Sequence, residues 1–143
     1  MTLMTQKESI AGVRVNEKVI LIVEDDIEIL EVYQALLESI QGVKGIFARD
    51  AQSAIEILQQ KKGILSAVLC DYFMPDGNGT LVIQFNSICA RLPFCLVSNG
   101  VPADYEDLKP VVFDGVRHFF LEKPVDASAF KNVILKMLNS GRP

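Results

Sequence analysis

Apolar positions along this chain alternate between short continuous runs and longer stretches in which they recur every three or four residues. The first run, Val19-Ile20-Leu21-Ile22-Val23, is aliphatic throughout and predicts a strand buried on both faces. Asp26 then stands as an N-cap before Leu30, Tyr33, Leu37 and Ile40, an amphipathic helical stripe that closes near Gly42. Residues 43–49 predict a second strand, in which Lys44 and Gly45 suit a sheet edge. Asp50 caps a second helix with Ala51, Ala54, Ile55 and Leu58 on one face, stopped at Lys61-Lys62-Gly63. Ala67-Val68-Leu69-Cys70 runs straight into Asp71, and the turn-rich Met74-Pro75-Asp76-Gly77-Asn78-Gly79 follows. Leu81, Val82, Phe85, Ile88 and Cys89 mark a third helix, and residues 93–97 a fourth strand that ends in Ser98-Asn99-Gly100. Between 101 and 115, Tyr105, Leu108, Val111 and Val112 fit a helical face that Pro110 must kink or split. Residues 116–121 predict a fifth strand, ending in Glu122-Lys123-Pro124. Residues 127–139 predict a last helix that buries Phe130, Val133, Ile134, Met137 and Leu138. The single histidine, His118, falls at the start of the fifth strand and reads as a structural residue.

Five strands alternating with five helices over short connections specify an α/β class: a doubly wound, five-stranded parallel sheet flanked by five helices. Right-handed crossovers bring all the strand C-termini to one edge. One domain over residues 18–140 accounts for the pattern; residues 1–17 read as a flexible leader and 141–143 as a C-terminal tail. With no further domain expected after the last helix, a signal is expected to leave through a surface, from a monomer or weak dimer. Composition narrows the function classes. Fourteen Lys/Arg against eighteen Asp/Glu give a net charge of −4 without a basic run, which argues against direct nucleic-acid binding. No apolar run approaches the roughly 20 residues of a membrane span, and no signal-type segment opens the chain. Cys70, Cys89 and Cys95 lie in apolar contexts without metal-ligand spacing, which fits reduced thiols and a cytoplasmic setting.

The strand ends carry the chemistry. A carboxylate at Asp71, at the end of a strand buried on both faces, needs a partner unless it merely caps the following turn. Glu24 and Asp25 exceed what capping requires, though an acid-rich first helical turn is the plainer alternative. Three carboxylates at one sheet edge repel one another, and an all-oxygen hard donor set suits Mg²⁺. Lys123 adds a fixed positive charge and Ser98 a hydroxyl donor. A carboxylate, a divalent ion, a lysine and a hydroxyl are the parts needed to add a phosphoryl group. Asp71 is then the nucleophile, Lys123 neutralises charge on the transferring group, and Ser98 bonds the installed phosphoryl. A contact made only in the modified state is what a switch requires.

On Val23-Glu24-Asp25-Asp26, Asp71 with Met74-Pro75-Asp76-Gly77, Ser98 and Lys123-Pro124, the chain resembles a response-regulator receiver domain of two-component signalling. The likeness is to the stand-alone chemotaxis regulators and covers residues 18–139. It implies the flavodoxin-like (βα)5 fold and phosphorylation of Asp71 by a sensor histidine kinase or histidine phosphotransfer protein. It also implies Mg²⁺ held by Glu24, Asp25, Asp71 and the backbone carbonyl of Phe73. Ser98 and Phe120 would form the switch, Phe120 rotating inward when Ser98 turns to the phosphoryl group; a plain core role for Phe120 is the alternative. A downstream protein would dock on the face of the fourth helix, fifth strand and fifth helix. Three features depart from the family pattern: Asn99 where a small residue is usual, Phe73 where polar residues are common, and a long Ser98–Lys123 spacing containing Pro110. Asn99 and the irregular segment keep open an interaction-only pseudo-receiver, and Phe73 with Asn99 would hinder the hydrolytic water and lengthen the phosphorylated state. A hydrolase with Asp71 as nucleophile would need a second acid at position 73, which is Phe73.

Overall fold

Residues Val19 to Val23 are fully buried, because both faces of their strand are covered by helices. The computed structural model describes residues 17–140; the expected leader, apart from Glu17, and the expected tail lie outside them. In chain order the elements are β1 (Lys18–Val23), α1 (Ile27–Glu38), β2 (Val43–Ala48), α2 (Ala51–Lys61) and β3 (Leu65–Asp71). A short hairpin follows, β4 (Phe73–Met74) and β5 (Gly77–Asn78), leading into α3 (Gly79–Cys89). Then come β6 (Phe94–Ser98), two 3-10 turns (Pro102–Asp104 and Glu106–Leu108), β7 (His118–Glu122) and α4 (Ala127–Ser140). The main sheet has the order β2-β1-β3-β6-β7, parallel throughout, with β2 at an edge as the Lys44-Gly45 interruption predicts.

Alternation along the strands sends neighbouring side chains to opposite layers. Val19, Leu21, Val23, Val68, Cys70, Phe94 and Leu96 pack under α2 and α3 with Ala54, Leu58, Val82 and Ile83. Ile20, Ile22, Leu69, Cys95, Val97 and Phe119 pack under α1 and α4 with Tyr33, Leu37, Phe130 and Ile134. Tyr33 stacks on Phe130 with ring centroids 4.9 Å apart and joins those two helices. Among the described residues, no helix is long and apolar enough to cross a membrane.

Three expectations need correction. The buried face of α3 is Val82, Ile83 and Asn86, whereas Ile88 is 81% exposed and Leu81 is exposed as well. Asn86 looks like a surface residue in the sequence. Inside, its amide donates to the Leu92 carbonyl and accepts from the Leu92 N–H, so its polar atoms are satisfied by the chain beyond the helix. The segment between β6 and β7 forms the two 3-10 turns in place of a helix, leaving four α-helices among the described residues. Pro110 lacks the amide a continuing helix needs, and Asp104 accepts from the Val101 N–H. Finally, β7 begins at His118 because the Asp114 carboxylate gathers the N–H groups of Val116, Arg117 and His118 into a turn. His118 itself is a strand residue whose Nδ1 lies 3.1 Å from the Val112 carbonyl.

Candidate functional site

Four strand ends meet at one edge of the sheet. β1 delivers Glu24, β3 Asp71, β6 Ser98 and β7 Lys123, and the first three are buried. β3 and β6 pair in register at Asp71 and Val97, and the Lys123 N–H donates to the Ser98 carbonyl at 2.7 Å. Lys123 Nζ reaches back over the edge to Asp71 Oδ1 at 2.7 Å and to Glu24 Oε1 at 3.7 Å. Asp25 is exposed beside them, yet one carboxylate oxygen each from Glu24, Asp25 and Asp71 lies within 4.8 Å of the others. Arg49, which the sequence pattern did not single out, donates from Nη2 to the Asp25 carbonyl at 2.9 Å and ties the end of β2 to this turn. Asp26 caps α1 as expected, accepting from the N–H groups of Glu28 and Ile29.

The electrostatics follow from burial. Desolvation raises Glu24 to about 7, the Asp26 N–H opposes the rise, and the Asp71 charge adds to it. Burial also raises Asp71, against the pull of its bond to Lys123. For Lys123 burial acts downward and is the largest single effect, but the bond to Asp71 together with the charges of Asp71, Glu24 and Asp25 outweighs it and the ammonium is held above its ordinary value. Two neighbouring acids with raised pKa values are a site short of positive charge. Glu24 makes the point at the atomic level: Oε2 accepts from the Asp26 N–H at 3.1 Å, while Oε1 is buried without a hydrogen-bond partner. Oxygen donors, one of them orphaned, and an excess of negative charge fit a hard divalent cation.

Ser98 and Phe120, the expected switch pair, each have particular partners. Ser98 Oγ donates to the Gly100 carbonyl at 2.6 Å. Phe119 is the core residue of the pair, whereas Phe120 is half-buried on the opposite face, edge-on to Phe113 at 6.2 Å. Asn99 is exposed and lines an open groove of about 410 Å³ with Ile29, Val32, Tyr33, Lys123 and Val125. Phe73 is 54% exposed, its ring set against Tyr72 and Tyr105.

A second carboxylate centre lies next to the first and has no signal in the sequence. Asp107, in the second 3-10 turn, accepts from the Tyr72 hydroxyl at 2.6 Å and from the Thr80 hydroxyl at 2.7 Å. The Asn78 amide donates to both Asp107 and the Tyr72 oxygen, at 3.4 and 3.3 Å. Burial, with the Asp107 charge beside it, pushes the Tyr72 phenol up to about 12, so it stays a donor. Gly79 completes this corner: a Cβ there would sit 2.6 Å from the Asp71 carbonyl oxygen, so only glycine lets α3 start so close to the site.

Comparison with known proteins agrees with this fold. The response regulator receiver domain matches over residues 20–135, and the chain belongs to that family. It is 30% identical over 117 residues to the two-component response regulator ARR10 of Arabidopsis thaliana, covering 80% of this chain and 20% of that protein. The regulator ARR2 of the same plant is 29% identical over 117 residues, 80% of this chain and 17% of its own length. The chain thus spans about a fifth of the length of these relatives. A CheY-like receiver domain from Methylobacillus flagellatus superposes with a TM-score of 0.68 at 26% identity, covering 85% of this chain and 98% of that one. A receiver protein from Sinorhizobium medicae gives a TM-score of 0.75 at 19% identity over 90% of this chain and 99% of that one, a likeness of fold.

Proposed function

We propose that this domain is a phosphorylatable receiver in which Asp71 accepts a phosphoryl group from a phosphohistidine. The observation that carries this reading is the meeting of Asp71, Glu24, Ser98 and Lys123 at one sheet edge, with Lys123 Nζ 2.7 Å from Asp71 Oδ1. In the transfer, an Asp71 carboxylate oxygen forms a bond to phosphorus as the N–P bond of the donor breaks. The departing imidazole nitrogen keeps the electron pair and takes up a proton. Lys123 is the fixed charge beside the reacting carboxylate and shifts onto the incoming phosphoryl oxygens. Glu24, Asp25, Asp71 and the Phe73 carbonyl would hold Mg²⁺, which when bound supplies the positive charge this acid cluster lacks. Ser98 exchanges its bond to the Gly100 carbonyl for one to the phosphoryl group, and Phe120 moves inward from its place against Phe113.

The donor is a sensor histidine kinase or a histidine phosphotransfer protein. The output face is the surface formed by the 3-10 segment, β7 and α4, where Val112, Val116 and Leu135 are exposed. Three unpaired cysteines go with a reducing, cytoplasmic setting. Phe73, two residues past Asp71, offers no proton, which supports a signalling role over turnover as a hydrolase. The 3-10 turns in place of a helix on the output side favour, as a second reading, an interaction-only pseudo-receiver.

The deciding experiment incubates the protein with Mg²⁺ and acetyl phosphate and records intact mass beside Asp71→Asn. One phosphoryl group on the wild type alone, absent when the metal is chelated first, supports phosphorylation at Asp71. A folded wild type that takes up none from several donors leaves the pseudo-receiver.

A further inference from the structure

The β4–β5 hairpin is bonded at two places to elements outside it, by carboxylates that the phosphoacceptor chemistry does not use. On one side Asp76, in the hairpin turn, accepts from the N–H groups of Ala51 and Gln52 at 2.8 and 3.0 Å. The turn is thereby docked on the N-terminus of α2, where unpaired amides favour an anion. On the other side Asp107 takes the Tyr72 and Thr80 hydroxyls and the Asn78 amide. Tyr72 immediately precedes Phe73, and Asn78 is the residue that pairs with Phe73 across the hairpin. Asp107 therefore grips both neighbours of Phe73, and Asp76 fixes the far end of the same ribbon.

A hairpin of two residues per strand has too few hydrogen bonds to hold a fixed conformation by itself. Its backbone direction depends on outside contacts, and these two carboxylates supply them. We infer that Asp107 and Asp76 are positioning residues that aim the Phe73 carbonyl at the divalent-cation site formed with Glu24, Asp25 and Asp71. The inference rests on the proposed metal site but not on phosphorylation. Groups that orient a metal ligand from behind affect affinity through the ligand, typically by about tenfold or more when removed.

The test is titration of the full chain with Mg²⁺ alone by calorimetry, without a phosphodonor. Tyr72→Phe and Thr80→Val remove bonds to Asp107 without changing charge, and Asp107→Asn and Asp76→Asn remove the carboxylates. Glu106→Gln, next to Asp107 but exposed and paired with Lys109, controls for loss of a negative charge. Each of the four variants is expected to raise the Mg²⁺ dissociation constant, by about tenfold for Asp107→Asn, with Glu106→Gln within about twofold of wild type. In acetyl phosphate assays the Mg²⁺ level for half-maximal rate should rise in parallel, while the rate at saturating Mg²⁺ stays near wild type. Unchanged affinity in folded variants overturns the inference, as does an equal loss in Glu106→Gln, which assigns the effect to charge alone. A wild type that binds no Mg²⁺ overturns the inference together with the metal site. If the wild type binds Mg²⁺, the variants weaken it and Asp71 is still not phosphorylated, the positioning role stands and the phosphoacceptor reading falls.

Discussion

Replacing Lys123 by methionine keeps the aliphatic stem and removes an ammonium that sits 2.7 Å from Asp71 Oδ1 and 3.7 Å from Glu24 Oε1. Asp71 then has two ways to remain folded, and both are unfavourable. Staying charged without the counter-ion costs about 3–5 kcal/mol, the usual range for breaking a buried pair. Taking up a proton costs ~1.4 kcal/mol for each of the roughly three pH units between neutrality and its ordinary 3.8, about 4 kcal/mol at pH 7. The Lys123 side chain keeps 22% of its surface in water, which screens part of the wild-type attraction. The expected loss of stability at pH 7 is therefore about 3 kcal/mol. Its pH dependence has a definite sign. Burial already raises Asp71 in the folded state, and losing Lys123 raises it further. The folded variant thus binds more protons than the unfolded chain at intermediate pH, and recovers stability as the pH falls. At pH 5 protonation limits the loss to below ~2 kcal/mol. Urea unfolding followed by circular dichroism, with chelator present, at pH 7 and pH 5 measures both numbers. An equal loss at the two pH values would refute the reasoning, because it would mean that Asp71 never becomes the protonated partner.

Three further outcomes are expected. Ile83→Ala, in the buried face of α3, should cost about 3 kcal/mol in thermal or urea unfolding, while Ile88→Ala should stay within about 0.5 kcal/mol; similar losses at both positions would contradict the observed rotation of the helix. Bonds from the N–H groups of Val116, Arg117 and His118 hold Asp114 down to about 2, so its contribution is present above its ordinary 3.8 and is lost as pH falls towards 2. Wild type and Asp114→Asn should accordingly differ in unfolding midpoint above about pH 4 and converge in stronger acid, and a constant gap would exclude this. On the proposed phosphorylation of Asp71, exchanging Phe73 for asparagine and Asn99 for alanine together should shorten the lifetime of the phosphorylated state several-fold, by opening the approach of water. An unchanged decay rate in single-turnover dephosphorylation would remove both side chains from the account of that lifetime.

The inner strands β1, β3 and β6 were legible because burial on both faces demands unbroken apolar runs, and such runs bounded by turn residues have few other readings. Glu24, Asp71 and Ser98 were legible for a related reason, each standing at the C-terminal end of such a run, and Lys123 follows the shorter apolar run Phe119-Phe120-Leu121 of the edge strand. Asn86 and Ile88 were misleading. Burying Asn86 is tolerated only because Leu92, beyond the helix, satisfies both ends of its amide. The segment after Ser98 was opaque, since its turns are set by Asp104 and Asp114 bonding to nearby backbone, interactions that carry no periodicity.

Taken alone, the sequence determined the order of the five main-sheet strands and of four helices, and with it the sheet edge to which Glu24, Asp71, Ser98 and Lys123 are delivered. Hydrophobic period and handed crossovers suffice for that, because they depend on local pattern and on general packing rules. Only the tertiary structure decided which polar groups meet across that edge. It placed Lys123 on Asp71, left Glu24 Oε1 without a hydrogen-bond partner, and brought Asp107 to Tyr72, 35 positions away in the chain. Pairings of this kind depend on distance through space and on desolvation, and neither quantity is written into the order of residues.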